Sequence, residues 1–289
     1  MPQIWNAHFQ IKRADIFKIQ DTLWDAFDQI SVFGDDDTPL YEATVTYQGN
    51  KDEVAIIERL SAICANANIP IPTITFEQVP DDIDWLQHVY DLRVPIEAGR
   101  FFIHGGHVTD YPKDKIEISI NAATAFGTGE HGTTKGCLLA LDILLDEYNF
   151  KNPLDMGCGS GVLAIALAKV LGDKIVAIDH SEEAVRVTCQ NAAINGVEAL
   201  IETQCGDGFH TPLVGQKVPY DLVMANILAQ PLIQMAPDLV NVLAEGGFVI
   251  LSGLLQTQEA KILEIYTALG LKEIATHPID EWQTLVLQK

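Results

Sequence analysis

Three glycines at alternate positions stand out in the run Leu154-Asp155-Met156-Gly157-Cys158-Gly159-Ser160-Gly161, between two apolar stretches. Glycine permits a tight turn and lets ligand atoms lie against bare backbone. A helix opening after Gly161 would add free N–H groups and a positive end, which attract an anion. A dinucleotide fingerprint would need glycine at the position of Val162. The pattern G-x-G-x-G instead favours a ligand carrying the carboxylate of an amino-acid tail over a pyrophosphate. A second apolar run, Lys174-Ile175-Val176-Ala177-Ile178, ends in Asp179, 22 positions after Gly157. An acid at the tip of a second strand is placed to accept both hydroxyls of a ribose. The alternative is a helix cap or loop aspartate, although Ser181 is the better cap for the next helix.

Asp221-Leu222-Val223-Met224-Ala225 leads into Asn226-Ile227-Leu228. An amide at that strand end can accept hydrogen bonds from an amine nucleophile and orient its lone pair; the plainer reading is a turn asparagine bonded to local backbone. Ala125-Phe126-Gly127-Thr128-Gly129-Glu130-His131-Gly132-Thr133-Thr134 precedes an apolar helix that begins near Lys135. It reads as a lid bringing Phe126 and Thr134 to a ligand, or equally as a flexible loop and helix start. For His131 a structural or lid role is preferred to that of a general base. His104 and His107 flank Gly105-Gly106. A glycine turn with exposed histidines is the preferred reading there, ahead of a metal pair, and no metal site is expected.

The elements that must position these residues follow from periodicity. Residues 4–11, 31–33, 41–47 and 71–79 read as strands, and 15–27 and 53–65 as helices with Asp52 as a cap. That order, βαββαβ, is the ferredoxin-like split motif, an α+β domain. Pro70, Pro72 and Pro80 mark a change of character. A helix near 85–90 and strands near 100–103 and 115–120 follow in a connecting region. From Asn152 onward strands (153–156, 174–178, 200–204, 220–225, 247–251) alternate with helices (161–171, 182–194, 230–243, 256–269), and strands 271–276 and 282–287 close the chain. Alternating βα units imply a mainly parallel Rossmann-like sheet with helices on both faces and a ligand at the carboxyl ends of its strands. The expected domains are 1–80, a connecting region 81–120, and 121–289.

Taken together, Ala-Phe-Gly-Thr-Gly-x-His-x-Thr-Thr at 125–134, Asp-x-Gly-Cys-Gly-Ser-Gly at 155–161, Asp179, Asn191-Ala192-x-x-Asn195-Gly196 and Ala225-Asn226-Ile227-Leu228 closely resemble the ribosomal protein L11 methyltransferases. Ser252-Gly253 and Glu281-Trp282 agree too. The resemblance runs from about Asp84 to the C-terminus. It implies a class I methyltransferase fold with S-adenosylmethionine as cofactor and contacts to it at Thr134, Gly157, Asp179 and Asn226. Gly159 and Phe126 join this set as parts of the cradle and lid. It further implies an N-terminal domain that grips L11, and transfer to lysine or N-terminal amines with Asn226 at the reacting nitrogen. The chain departs from the family at Gly129-Glu130-His131-Gly132, where Gly-Thr-His-Pro is common, and at His104–His107, where tryptophan and proline are common. Competing readings are a methyltransferase for another protein or a small molecule, a nicotinamide dehydrogenase, and a non-catalytic cofactor-binding module.

Composition narrows the partners. The 289 residues carry 40 acidic against 18 basic side chains, a formal net charge of −22. Polyanions are bound by Lys and Arg that release counterions, so nucleic acid is disfavoured, and a basic protein partner is favoured. Five cysteines without a C-x-x-C pair, all in apolar or helical stretches, point to buried thiols in a reducing cytoplasm. No signal peptide or membrane-length apolar run is evident.

Overall fold

The computed structural model describes residues 4–27, 29–33, 40–48, 52–78, 95–106, 108, 110–120 and 132–289. The chain divides into two units, Met1–Trp85 and Leu86–Lys289.

The first unit runs β1 (Ile4–Lys12), α1 (Arg13–Ala26), β2 (Gln29–Phe33), β3 (Leu40–Gln48), α2 (Glu53–Asn66) and β4 (Ile74–Gln78). Its sheet has the order β2-β3-β1-β4, with every pair antiparallel. Alternation decides which face is buried. Trp5, Ala7, Phe9 and Ile11 of β1 lie opposite Tyr47, Val45, Ala43 and Tyr41 of β3, and all eight are buried. Ile16, Ile19 and Leu23 of α1 and Ile56, Leu60 and Ile63 of α2 complete this core. The opposite face is polar: the Thr46 hydroxyl donates to Asn6 Oδ1 at 2.8 Å, and His8 pairs with Thr44 and Glu77. Asp52 caps α2 by accepting from the Ala55 N–H. The βαββαβ expectation therefore holds.

The second unit opens with β5 (Ile96–Ala98), β6 (Phe101–His104) and β7 (Ile116–Ser119), which form a three-stranded sheet. Then come α3 (Gly132–Leu145), β8 (Pro153–Met156), α4 (Val162–Leu171), β9 (Ile175–Asp179), α5 (Glu182–Ile194), β10 (Ile201–Cys205), α6 (Pro212–Lys217), β11 (Tyr220–Asn226), α7 (Ala229–Val242), β12 (Leu243–Leu255), α8 (Glu259–Ala268), β13 (Lys272–Ile279) and β14 (Trp282–Gln288). The large sheet has the order β10-β9-β8-β11-β12-β14-β13. It is parallel except at β14, which runs antiparallel to both neighbours. The central strands β8, β9 and β11 are buried on both faces, so they are mainly apolar without alternation. Leu222 and Met224 join one core with α3 and α4; Val223 and Ala225 join the other with α7 and α8.

Two expectations are corrected, two elements are additional, and several expected features fall outside the description. His104 is not exposed. It is buried in β6, a strand packed into the core with α3 and α4, and the burial is tolerable because both ring nitrogens have partners, Gly105 O at 2.7 Å and Glu117 Oε1 at 3.0 Å. The cysteines divide: Cys64, Cys137 and Cys158 are buried, Cys189 is exposed and Cys205 lies between, because α5 turns Cys189 outward and β10 is the edge of the sheet. The short helix α6 and strand β5 were not anticipated. The expected helix near 85–90, and Phe126, His107 and His131, lie outside the described residues.

Candidate cofactor and transfer site

The order of the sheet decides where a ligand fits. β8 is the first strand of the βα series and stands between β9 and β11. The crossovers leaving it diverge, which opens a crevice at the carboxyl ends of the strands. Gly157, Gly159, Asp179 and Asn226 all lie at that edge.

Gly157, Gly159 and Gly161 have φ of +77°, +52° and +81°, a region L side chains rarely adopt. Gly157 also meets a close neighbour: a Cβ there would lie 2.3 Å from Cγ2 of Ile227. The loop is tied down from three sides. The Gly157 and Cys158 N–H groups donate to Ile178 O at 2.8 and 3.0 Å. Thr188 Oγ1 donates to Gly159 O at 3.0 Å, and Asn191 Nδ2 to Ser160 O at 2.8 Å. The Gly159 N–H donates to Asp179 Oδ2 at 2.9 Å. The cradle is thus fixed by its neighbours, as a preorganised binding loop requires.

Asp179 ends β9 and is 7 % exposed. Its second oxygen accepts from the Ser181 N–H at 3.0 Å. Oδ2 keeps a further lone pair for a ligand hydroxyl, while Oδ1 also faces Nδ1 of the exposed His180 at 3.2 Å. Ser181, not Asp179, caps α5, by accepting from the Ala184 N–H at 3.3 Å. Next along the edge, Cys205 pairs with Asp179, and Gly206-Asp207 follow at the tip of β10.

Asn226 ends β11 on the other side of β8, and its Nδ2 donates to Thr134 Oγ1, 3.3 Å away at the start of α3. Sequence reasoning singled out both residues but did not foresee that they touch across 92 positions. With the amide nitrogen committed to Thr134, no described residue bonds the amide oxygen. The site around them is tightly built. The Ile227 N–H donates to Ser252 O at 3.1 Å, and a Cβ on Gly253 would meet Ile227 O at 2.3 Å. Ser252 Oγ pairs with Thr284 Oγ1 at 2.8 Å and donates to Thr133 O at 3.3 Å, which holds the entry to α3. Asn195 pairs with Ser119 through both backbone groups, so the Asn191/Asn195 motif is a scaffold for the cradle.

Asp155, two residues before Gly157, is 1 % exposed. Its Oδ2 accepts from the Ala164 N–H at 2.9 Å, and its Oδ1 has no partner among the described residues. Burial pushes its pKa up to about 7, and nearby Asp179 adds to the rise. Among the described residues no group of His, Cys, Asp and Glu is arranged to hold a metal ion.

Comparison with known proteins agrees with this geometry. Residues 11–289 match the family model described as ribosomal protein L11 methyltransferase (PrmA). The L11 methyltransferase of Mesorhizobium japonicum is 39% identical over 257 residues, covering 88% of this chain and 87% of that protein. That of Agrobacterium fabrum is 41% identical over 257 residues, with the same coverage of 88% and 87%. Among solved structures, the L11 methylase of Lactobacillus delbrueckii subsp. bulgaricus superposes with a TM-score of 0.61 at 28% identity, over 67% of this chain and 97% of that one.

Proposed function

The chain belongs to the ribosomal protein L11 methyltransferase family, and from that premise we propose that it transfers the methyl group of S-adenosylmethionine to amino groups of L11, on lysine side chains, the N-terminus or both. The observation that carries the reading is the meeting of three devices at adjacent strand tips: the Gly157–Gly161 cradle, Asp179 bonded to Gly159, and Asn226 bonded to Thr134. The residues fit the cofactor. The cradle admits a chain with no Cβ in its way, the opening of α4 favours a carboxylate, and Asp179 Oδ2 retains a lone pair for a ribose. Val162 is buried in the core where a nicotinamide enzyme would need glycine.

The cofactor supplies a sulfonium methyl with a good leaving group. The protein's part is to hold a neutral amine in line with it. A lysine amine has an ordinary pKa of about 10.4, so its proton must leave first, and desolvation beside a cation favours the neutral form. Thr134 fixes the Asn226 amide so that its oxygen is left to accept an amine N–H, which aims the nitrogen lone pair away from the amide. Phe126 and the rest of 125–131 are assigned to a lid over the cofactor. Residues 1–80 are assigned to gripping L11, 81–120 to the connection, and 121–289 to catalysis. A cytoplasmic location belongs to the same proposal, since it is the one a ribosomal substrate requires; no described helix is long and apolar enough to cross a membrane.

The test is steady-state transfer of radiolabelled methyl to purified L11. Asn226→Ala should lower kcat roughly ten- to a hundred-fold, as expected for the loss of one hydrogen bond of about 1–3 kcal/mol in the transition state, with cofactor affinity nearly unchanged. Equal loss of both would make Asn226 a cofactor ligand only.

A further inference from the structure

Asp155 is a buried carboxylate that the transfer mechanism does not use. It stands in β8 at the base of the glycine cradle, with one oxygen bonded to the first turn of α4 and the other without a partner among the described residues. Its titratable neighbours are acidic or thiol groups: Asp179 at the tip of β9, Cys158 in the cradle and Cys137 of α3. No described Lys, Arg or His forms an ion pair with it. A charge here has a single helix N–H to compensate it, which is too little for a group removed from water.

We infer, building on the cofactor reading above, that Asp155 is a proton-linked counter-charge for the cofactor: it is partly protonated in the empty site, ionises more fully when the sulfonium binds, and regains its proton when only the thioether product remains. The reasoning is electrostatic. S-adenosylmethionine brings one more positive charge into the crevice than S-adenosylhomocysteine, the same molecule without the methyl. Around a carboxylate that is 1 % exposed, that charge favours the ionised form. By linkage, the ionised carboxylate favours the methylated cofactor to the same degree. The site thereby distinguishes fresh cofactor from spent product without a contact to the methyl group. With an Asp155 pKa near 7, the empty site is poised so that the added charge moves a proton under physiological conditions.

The test is calorimetric titration of the full-length protein with each ligand at pH 7, in buffers of different ionisation enthalpy. Dependence of the observed heat on the buffer gives the protons exchanged. The expected result is release of a fraction of a proton with S-adenosylmethionine, clearly less with S-adenosylhomocysteine, and loss of this difference in Asp155→Asn. The preference for the methylated ligand should also rise from pH 6 to pH 8 in the parent and stay flat in the variant. Equal proton release with both ligands, or a difference that persists in Asp155→Asn, overturns the inference while the cofactor reading stands. Absence of any binding heat overturns both. Should Asp155→Asn not fold, the parent alone decides: a difference in release between the ligands that does not diminish by pH 9 contradicts the inference.

Discussion

At the scale of the residue, the glycines and acids at the sheet edge are constrained by geometry more than by composition. Gly157→Ala must place a methyl 2.3 Å from Ile227 Cγ2 at a φ of +77°. It should weaken cofactor binding at least ten-fold and lower thermal stability, read by calorimetry and by a melting curve. Asp179→Ala removes the acceptor of two backbone N–H groups as well as the proposed ribose contact, so affinity should fall further than one lost ligand bond explains. Asp155 gives a pH prediction. Its folded pKa lies above its unfolded value, so the native state holds a proton that the unfolded chain has already lost between about pH 4 and pH 7. Stability without cofactor therefore falls as pH rises through that window, by a few kcal/mol at most. Asp155→Asn should flatten that part of the stability curve in denaturant titrations between about pH 4 and pH 7. The sequence revealed Gly157 and Gly159 through three glycines at alternate positions, and Asp179 because it ends an apolar run in a residue that does not belong to one. It did not reveal that Asp155 Oδ1 lacks a partner among the described residues, since an aspartate inside a four-residue strand looks the same whether its oxygens are paired or not.

At the scale of the element, what the sequence showed depended on periodicity. Helix 182–194 was read to the residue because Ser181 caps it and Gly196 follows. Strand β12 extends from Leu243 to Leu255, well beyond the expected 247–251, because its pairing with β14 continues past a register shift between Leu251 and Leu254. That irregularity matters for the site. It brings Gly253 onto the backbone of Ile227, directly after Asn226. Gly253→Ala should therefore disturb Asn226 through its neighbour, lowering kcat on L11 with little change in cofactor affinity. A rise in the cofactor dissociation constant alone would show that the bulge serves the cradle instead. Single-strand periodicity carries no information on such cross-strand contacts, nor on the bond between Thr134 and Asn226.

At the scale of the molecule, the two units each own a core. The cluster formed by β1, β3, α1 and α2 shares no residue with the two clusters flanking the large sheet. A chain starting at Leu86 should accordingly fold and bind S-adenosylmethionine, while methylation of L11 falls by at least a hundred-fold for want of the gripping unit. Full activity of that fragment would remove the assignment of residues 1–80. The ferredoxin-like and Rossmann-like organisation was legible because βαββαβ and alternating βα patterns leave few topologies open. The insertion of β14 between β12 and β13 was not, since two successive terminal strands are equally compatible with a simple hairpin at the edge. The net charge of −22 suits a basic substrate, and raising ionic strength should raise KM for L11 more than kcat falls.

The most direct measurement is peptide-mapping mass spectrometry of purified L11 incubated with this protein and S-adenosylmethionine. The account predicts added methyl groups on lysine or N-terminal amine nitrogens, dependent on the cofactor and strongly reduced with Asn226→Ala. Methylation confined to oxygen, sulfur or amide nitrogen, or L11 left unmodified while the protein binds cofactor, would contradict it.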